Sequence, residues 1–324
     1  MSDKQKWVAA EQVGVCFFPT RSAGEVVDVA MLCEELGFGF LGVGDVHELW
    51  ADPYVSLALA AKATTRINIG PWVTNPLTRH PTVTANAIAT LNDLSNGRTF
   101  LGIGVGDGGV RLIGHRPAKL EHLAEAISII TLHMQTPREG VRRERVPIYW
   151  AAAGERSTRE GGRHADGVIV SGWNTPDLLR ESIQVIGEGA AGRGHVIPIF
   201  NTGLVIDDDS SRALAVAKPY VARALARPSS AKVAGWSAED VERFRKAYNF
   251  QRHFRSDHEL GQLVPDELVA KKAIAGTPRE CASQMRQILD AGFERIAVIP
   301  MGDTSIALRR LAHDVLPLLA GEGS

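Results

Sequence analysis

Two hydrophobic rhythms take turns along this chain. Val13-Gly14-Val15-Cys16-Phe17-Phe18 is an unbroken apolar run of the kind carried by a strand buried on both faces. After it, Val26, Val29, Ala30 and Cys33 recur at helical spacing. Ser22 and Glu25 are placed to form a capping box before them, and Gly37 to stop the helix. The alternation then repeats. Strands are predicted at residues 40–44, 67–73, 98–103, 146–150, 167–170, 197–206 and 295–299. Helices are predicted at 54–63, 82–94 and 305–319, and the clearest stripe is Leu120, Leu123, Ala124, Ile127, Ile130 and Met134. Strands that alternate with helices are parallel strands joined by crossovers. Eight of them predict an α/β fold of the (β/α)8 TIM-barrel type.

One connection breaks the rhythm. The stretch from 206 to 295 is far too long for a plain strand-to-strand step. Asp207-Asp208-Asp209 caps one helix there, and residues 237–254 predict a second, charged one. Thr277-Pro278-Arg279-Glu280 opens another, with N-cap, first-turn proline and capping glutamate in place. The expectation is a single barrel domain over 1–324 with an inserted helical lobe at about 207–277, near the barrel mouth.

Composition narrows the partners. The formal net charge of −1 gives no long-range attraction to nucleic acid or to an anionic membrane. No stretch approaches the roughly 18 apolar residues that span a bilayer, and the first residues lack the apolar core of a secretion signal. Cys16, Cys33 and Cys281 are scattered and lack zinc-ligand spacing. They fit small buried hydrophobes in a protein of the reducing cytoplasm, with no metal site.

The chemistry-bearing side chains cluster at strand ends, where an α/β barrel places its cofactor and its catalytic groups. The third strand ends in Trp72-Val73-Thr74-Asn75-Pro76 and the fourth in Gly104-Val105-Gly106-Asp107-Gly108-Gly109. Asp45 follows the second strand, so Asp45 and Asp107 are placed to face one mouth; Asp107 before Gly108 is equally a common turn pair. Ala151-Ala152-Ala153-Gly154 leads into a helix at Glu155-Arg156-Ser157. Small residues and a helix N-terminus attract an anion there, and Arg156 adds a charge-assisted donor. Glu155 and Arg156 serve equally well as caps of a surface helix. Ser171 and Trp173 follow the next strand and either extend the same wall or pack as core.

Gly104-x-Gly106-x-x-Gly109 also raises a dinucleotide fingerprint. That motif requires a full helix opening on the third glycine and an acid at the next strand end. Here Pro117 interrupts the chain, and Glu121 and Glu125 fall on the following helix instead. A Rossmann site is disfavoured.

Residues 73–81 (Val-Thr-Asn-Pro-Leu-Thr-Arg-His-Pro), Ser95-Asn96-Gly97-Arg98, Gly102-Ile103-Gly104-Val105-Gly106-Asp107 and Ala165-Asp166-Gly167-Val168 occur in this order. Together they resemble the bacterial luciferase-like flavin-dependent oxidoreductases, and within them the branch containing methylenetetrahydromethanopterin reductase and other coenzyme F420-dependent enzymes. Thr277-Pro278-Arg279-Glu280 and Ala291-Gly292-Phe293 resemble that family's C-terminal signature. The resemblance implies a TIM barrel with a flavin or deazaflavin at the strand ends. It also implies a non-proline cis peptide within Trp72-Val73-Thr74, with Thr74 and Asn75 near the cofactor ring. The cofactor phosphate would lie on the Ala152-Ala153-Gly154-Glu155-Arg156 turn, within reach of Ser171 and Trp173. Asp107 matches an acid that lies near the reactive ring in F420 enzymes. A carboxyl shielded there would have a raised pKa and donate a proton. Asp45-Val46-His47 departs from the Asp-His pair of F420 reductases, with valine at the histidine position and His47 one residue further on.

The resemblance implies two chemistries. With F420 the enzyme transfers hydride to or from a small organic substrate. With FMN and O2 it is a monooxygenase, supplied with reduced flavin by a partner reductase. A non-catalytic luciferase-like barrel is the alternative of another class, and the intact Gly104–Gly109 loop and phosphate turn argue against it. Related enzymes are commonly homodimers. Trp236, Phe244, Tyr248 and Phe250 in the lobe line an apolar substrate pocket or form the lobe's own core.

Overall fold

In the computed structural model the described residues are 10–19, 22–136, 145–225 and 263–321, with isolated positions between 237 and 261. The strands are β1 (Val13–Phe17), β2 (Phe40–Val43), β3 (Asn68–Pro71), β4 (Leu101–Ile103), β5 (Ile148–Ala152), β6 (Gly167–Val170), β7 (Ile197–Ile206), β8 (Ile274–Gly276) and β9 (Arg295–Pro300). Every pairing between them is parallel. The order β3-β2-β1-β9-β7-β6-β5-β4 runs round a ring. Two bridges, Ile69 to Thr99 and Thr74 to Ile103, bring β3 against β4 and close it. The expected eight-stranded barrel is present.

Period-2 geometry sorts the strand residues into two cores. Val13, Val15, Leu41, Val43, Ile69 and Leu101 point outward and are covered by the surrounding helices. Cys16, Phe40, Trp72, Phe100, Tyr149, Ile169 and Ile199 point inward and fill the barrel. Within that plug Phe40 stacks on Trp72 at 5.3 Å between ring centroids, and Phe100 stands edge-on to both. Both faces of each strand are buried, which is why the strands read as continuous apolar runs. Cys16, Cys33 and Cys281 are free and buried, as expected.

β8 was not anticipated. It lies inside the span expected to be a helical lobe and pairs with the outer end of β7, Leu204 to Ile274 through Ile206 to Gly276. Three residues carry no periodicity; the strand exists because the ten-residue β7 runs on past Phe200, its last partner in β6, and offers that edge. Of the expected lobe helices, Ser210–Leu225 is present, with Asp209 Oδ1 accepting from the Ser211 and Arg212 N–H groups. The 237–254 segment lies mostly outside the described residues, as do Trp236, Tyr248 and Phe250; Phe244 is buried in an apolar cluster.

The caps divide. Thr277 and Glu280 form the full reciprocal box. Ser22 does not: its side chain caps nothing, and the Glu25 N–H is taken by the Ser22 carbonyl at 3.3 Å. The Ser95–Arg98 motif is a structural joint. The Arg98 guanidinium donates to the carbonyls of Ala61, Thr64, Ile67 and Ser95, tying the end of one helix to the start of β3 and the turn before β4. Beside it, the Glu34 carboxylate accepts N–H bonds from Thr65, Arg66 and Ile67. Burial opposes ionisation of Glu34, but these bonds outweigh it and lower its pKa to about 2.

A carboxylate depressed in this way stabilises the fold above its unfolded pKa of about 4.3, and the contribution fades as pH falls toward the folded value. Glu34→Gln should therefore cost about 1 kcal/mol near neutrality, discounted for solvent screening. In urea unfolding the gap between variant and wild type should narrow steadily between pH 5 and pH 3. A gap that stays constant with pH would refute the ionic contribution.

Candidate active site

The carboxyl ends of β1 to β6 surround a cavity of about 480 Å³. β2 contributes Asp45 and Val46, β3 contributes Trp72, Val73 and Asn75, and β4 contributes the loop from Gly104 to Gly109. Ala151 to Gly154, Arg156 and Ser157 come from the end of β5, and Ser171 from β6. The Trp72–Val73 peptide is cis, within the segment expected to carry such a bond.

The walls are kept thin by close packing. A Cβ on Gly104 would sit 3.1 Å from the Ala151 Cβ and 3.4 Å from a Val73 methyl. Gly106 has φ +84°, which L side chains rarely adopt, and a Cβ there would strike Val110 at 2.4 Å. Asn75 lines the cavity while its Oδ1 accepts from the Leu77 and Thr78 N–H groups, so it also holds its own turn. The helix after the glycine loop, Gly108–Arg111, is a single turn, which a dinucleotide site cannot use.

The two aspartates are in different environments. Asp45 is buried, and its Oδ2 accepts from the Thr74 hydroxyl at 2.7 Å. Thr74 in turn takes a long bond from the Tyr54 hydroxyl, 3.4 Å. Burial raises the Asp45 pKa; the Thr74 bond and the Arg79 charge oppose that rise, and Asp52 adds to it. Burial likewise pushes the Tyr54 phenol to about 12. Arg79 lies over the Tyr54 ring at 4.5 Å and pairs with Asp52. Asp107, by contrast, pairs with Arg111 at 2.6 Å and its side chain is 36% exposed. The shielded carboxyl expected at Asp107 is found at Asp45.

Not every candidate reaches the cavity. Thr74 is fully buried behind Asp45 and acts on it from the second layer. His47 faces solvent, 4.0 Å from Glu48, because the chain turns outward after Val46. Glu155 points along its helix to Arg159, 2.7 Å away, while Arg156, roughly 100° further round that helix, borders the cavity. Trp173 packs in the separate apolar cluster with Val205, Ala217 and Phe244.

Other residues were missed. Phe18 and Trp50 stack at 4.5 Å and line the cavity. They stand just beyond β1 and β2, where the strand-end logic that selected Asp45 would have found them. Asn201 accepts from Trp72 Nε1 at 3.0 Å and donates to Ser171 Oγ at 3.2 Å, linking β3, β7 and β6 across the barrel. Its visible signal was a polar pair, Asn201-Thr202, inside an apolar run. Lys272, also buried, donates to the carbonyls of Ser171 and Gly172.

At the end of β5, the N-cap of helix Glu155–His164 is Gly154, so no side chain caps its first N–H groups. Those donors lie beside Arg156 on the cavity wall. A cavity lined by aromatic rings and small residues, with anion-seeking donors at one end, suits a planar heterocycle that carries a phosphate.

A family model described as luciferase-like monooxygenase matches residues 4–295. The chain belongs to that family. Among relatives of this luciferase-like protein is 5,10-methylenetetrahydromethanopterin reductase of Archaeoglobus fulgidus, 27% identical and covering 94% of this chain and 99% of its own. F420-dependent glucose-6-phosphate dehydrogenase of Kineococcus radiotolerans is 29% identical over 91% of this chain and 93% of its own. The structure of the coenzyme F420-dependent tetrahydromethanopterin reductase from Methanopyrus kandleri superposes with a TM-score of 0.82 at 23% identity, covering 95% of this chain and 99% of that one. Its similarity is one of fold.

The raised pKa of Asp45 costs the folded state stability, a cost that grows as pH rises from the unfolded pKa, about 3.9, and is complete above the folded one. Asp45→Asn should therefore stabilise the luciferase-like barrel at neutral pH, by on the order of 1 kcal/mol. The gain should vanish below about pH 4, where Asp45 is protonated in both states. Urea midpoints at pH 4 and pH 7.5 measure this, and a destabilised variant at pH 7.5 would contradict the assignment.

Proposed function

We propose that this protein is an F420-dependent oxidoreductase that moves hydride between the deazaflavin and a small organic substrate. The observation that carries the reading is one continuous wall that joins Trp72–Val73, the Gly104–Gly109 loop and the uncapped turn before Arg156. The relatives named above are F420-dependent in two different reactions, which supports the cofactor and leaves the substrate open. When bound, F420 supplies a two-electron hydride carrier with little reactivity toward O2.

The chain's part is placement and proton management. Gly104 and Gly106 leave room for a ring, with Trp72 and Val73 behind it. The backbone donors of 155–157 and the Arg156 guanidinium take a phosphate. Asp45, held by Thr74, stands at the cavity wall with its pKa raised by burial and is the group we assign to proton transfer; Asp107 has a binding role. Substrate selection falls to the segment at about 207–277, inserted in a single barrel domain.

A second reading is an FMN-dependent monooxygenase that receives reduced flavin from a reductase. It is favoured by Val46, which puts an apolar side chain on the cavity wall where the F420 branch has histidine. We further propose a cytoplasmic homodimer. Met31, Val55, Leu59 and Val83 are exposed on the helices Ala23–Glu35, Pro53–Ala63 and Pro81–Leu94, which are neighbours on the barrel's outside.

Fluorescence titration with F420 and with FMN decides between the readings. Preferential F420 binding supports the first, FMN binding with O2 consumption the second, and binding of neither a non-catalytic barrel. Gly106→Trp should abolish binding while its far-ultraviolet dichroism stays that of wild type. For the dimer, light scattering should give twice the chain mass, and Val55→Glu with Leu59→Glu should give one chain mass.

A further inference from the structure

The cavity has a fixed rim on the side where a phosphate would lie. Glu121 Oε1 accepts from Arg156 Nη2 at 2.5 Å, which sets the start of helix Leu120–Gln135 against the turn that opens helix Glu155–His164. Leu120 and Arg156 border the cavity together. The loop before Leu120 is anchored from below, with the Ala118 N–H on the Val105 carbonyl at 2.8 Å. Pro117 limits its backbone freedom further.

This rim carries two cations with no work inside the fold. Arg116 and Lys119 are exposed and make no ion pair or hydrogen bond among the described residues. Their neighbours are engaged: Arg111 with Asp107, Arg156 with Glu121, and Glu155 with Arg159. His115 and His122 are also exposed here, and Glu125 lies one turn further along the helix.

FMN ends at its phosphate. F420 continues beyond it through a lactyl group into a chain of glutamates, each adding a carboxylate. We propose, resting on the F420 reading above, that Arg116 and Lys119 form a subsite for this acidic tail at the mouth of the cavity. Leu120 lines the cavity beside residues 153–157, and the two cations stand on the anchored loop that leads directly into it. The cations stand on an anchored loop, so the subsite selects the tailed cofactor over FMN by charge rather than by ring shape. Contacts of this exposed kind weaken with salt.

The test is equilibrium fluorescence titration of wild type and of the double variant Arg116→Glu, Lys119→Glu. The probes are F420 with several glutamates, the same deazaflavin phospholactate without glutamates, and FMN, each at 50 and 500 mM NaCl. Wild type should bind the tailed form about tenfold more tightly than the tail-less form at low salt, and the ratio should shrink at high salt. In the double variant the ratio should fall to about one or below, with tail-less affinity unchanged. Both side chains are exposed, and circular dichroism checks that the fold is kept. Equal affinity of wild type for tailed and tail-less forms overturns the tail site alone. So does an equal loss for both forms in the variant. Failure of wild type to bind either deazaflavin overturns the F420 reading, and the tail site falls with it.

Discussion

The closure of the ring between β3 and β4 is the constraint on which the site depends. Elsewhere the strands are joined by longer runs of register; here two isolated bridges make the seam. Backbone bonds from Phe100 to Ile69, Thr74 to Gly102 and Gly104 to Thr74 stitch it. Arg98 braces it at one end, and the Phe40, Trp72 and Phe100 rings brace it from within. The main chain leaves the ladder at this seam, just where the Trp72–Asn75 and Gly104–Gly109 segments form the cavity wall.

The second organising fact is how burial distributes acidity. Asp45 and Asp107 belong to the same cavity, yet one is shielded beneath Thr74 and the other meets Arg111 at the surface. Two carboxyls in unlike surroundings can take unlike roles, one with its pKa raised by burial and the other paired with a cation. Tyr54, Arg79 and Asp52 continue the network behind Asp45, so its environment is built from three separate segments of chain.

The two sides of the barrel are built differently. The β1 to β6 side holds the cavity in loops pinned by backbone bonds. The β6 to β8 side carries Trp173, Lys272 and the Ser210–Leu225 helix. Asn201 joins the two sides through its hydrogen bonds to Trp72 and Ser171.

The eight ring strands and their helices were legible because each strand is buried on both faces, and a run of apolar residues records that fact locally. The glycines of 104–109, the small residues of 151–154 and the Thr277 box were legible for the same reason: their demands are met within a few residues of chain. Tertiary structure decided the rest. β8 needed the free edge of β7; the Ser22 hydroxyl lost its role to its own carbonyl; Trp173 and His47 turned away from the cavity. Asp45, not Asp107, became the shielded acid, and Asn201 reached Trp72 from a strand far away in sequence. Burial and hydrogen-bond partnership are properties of neighbours in space, and a linear pattern reports them only when those neighbours are also close along the chain.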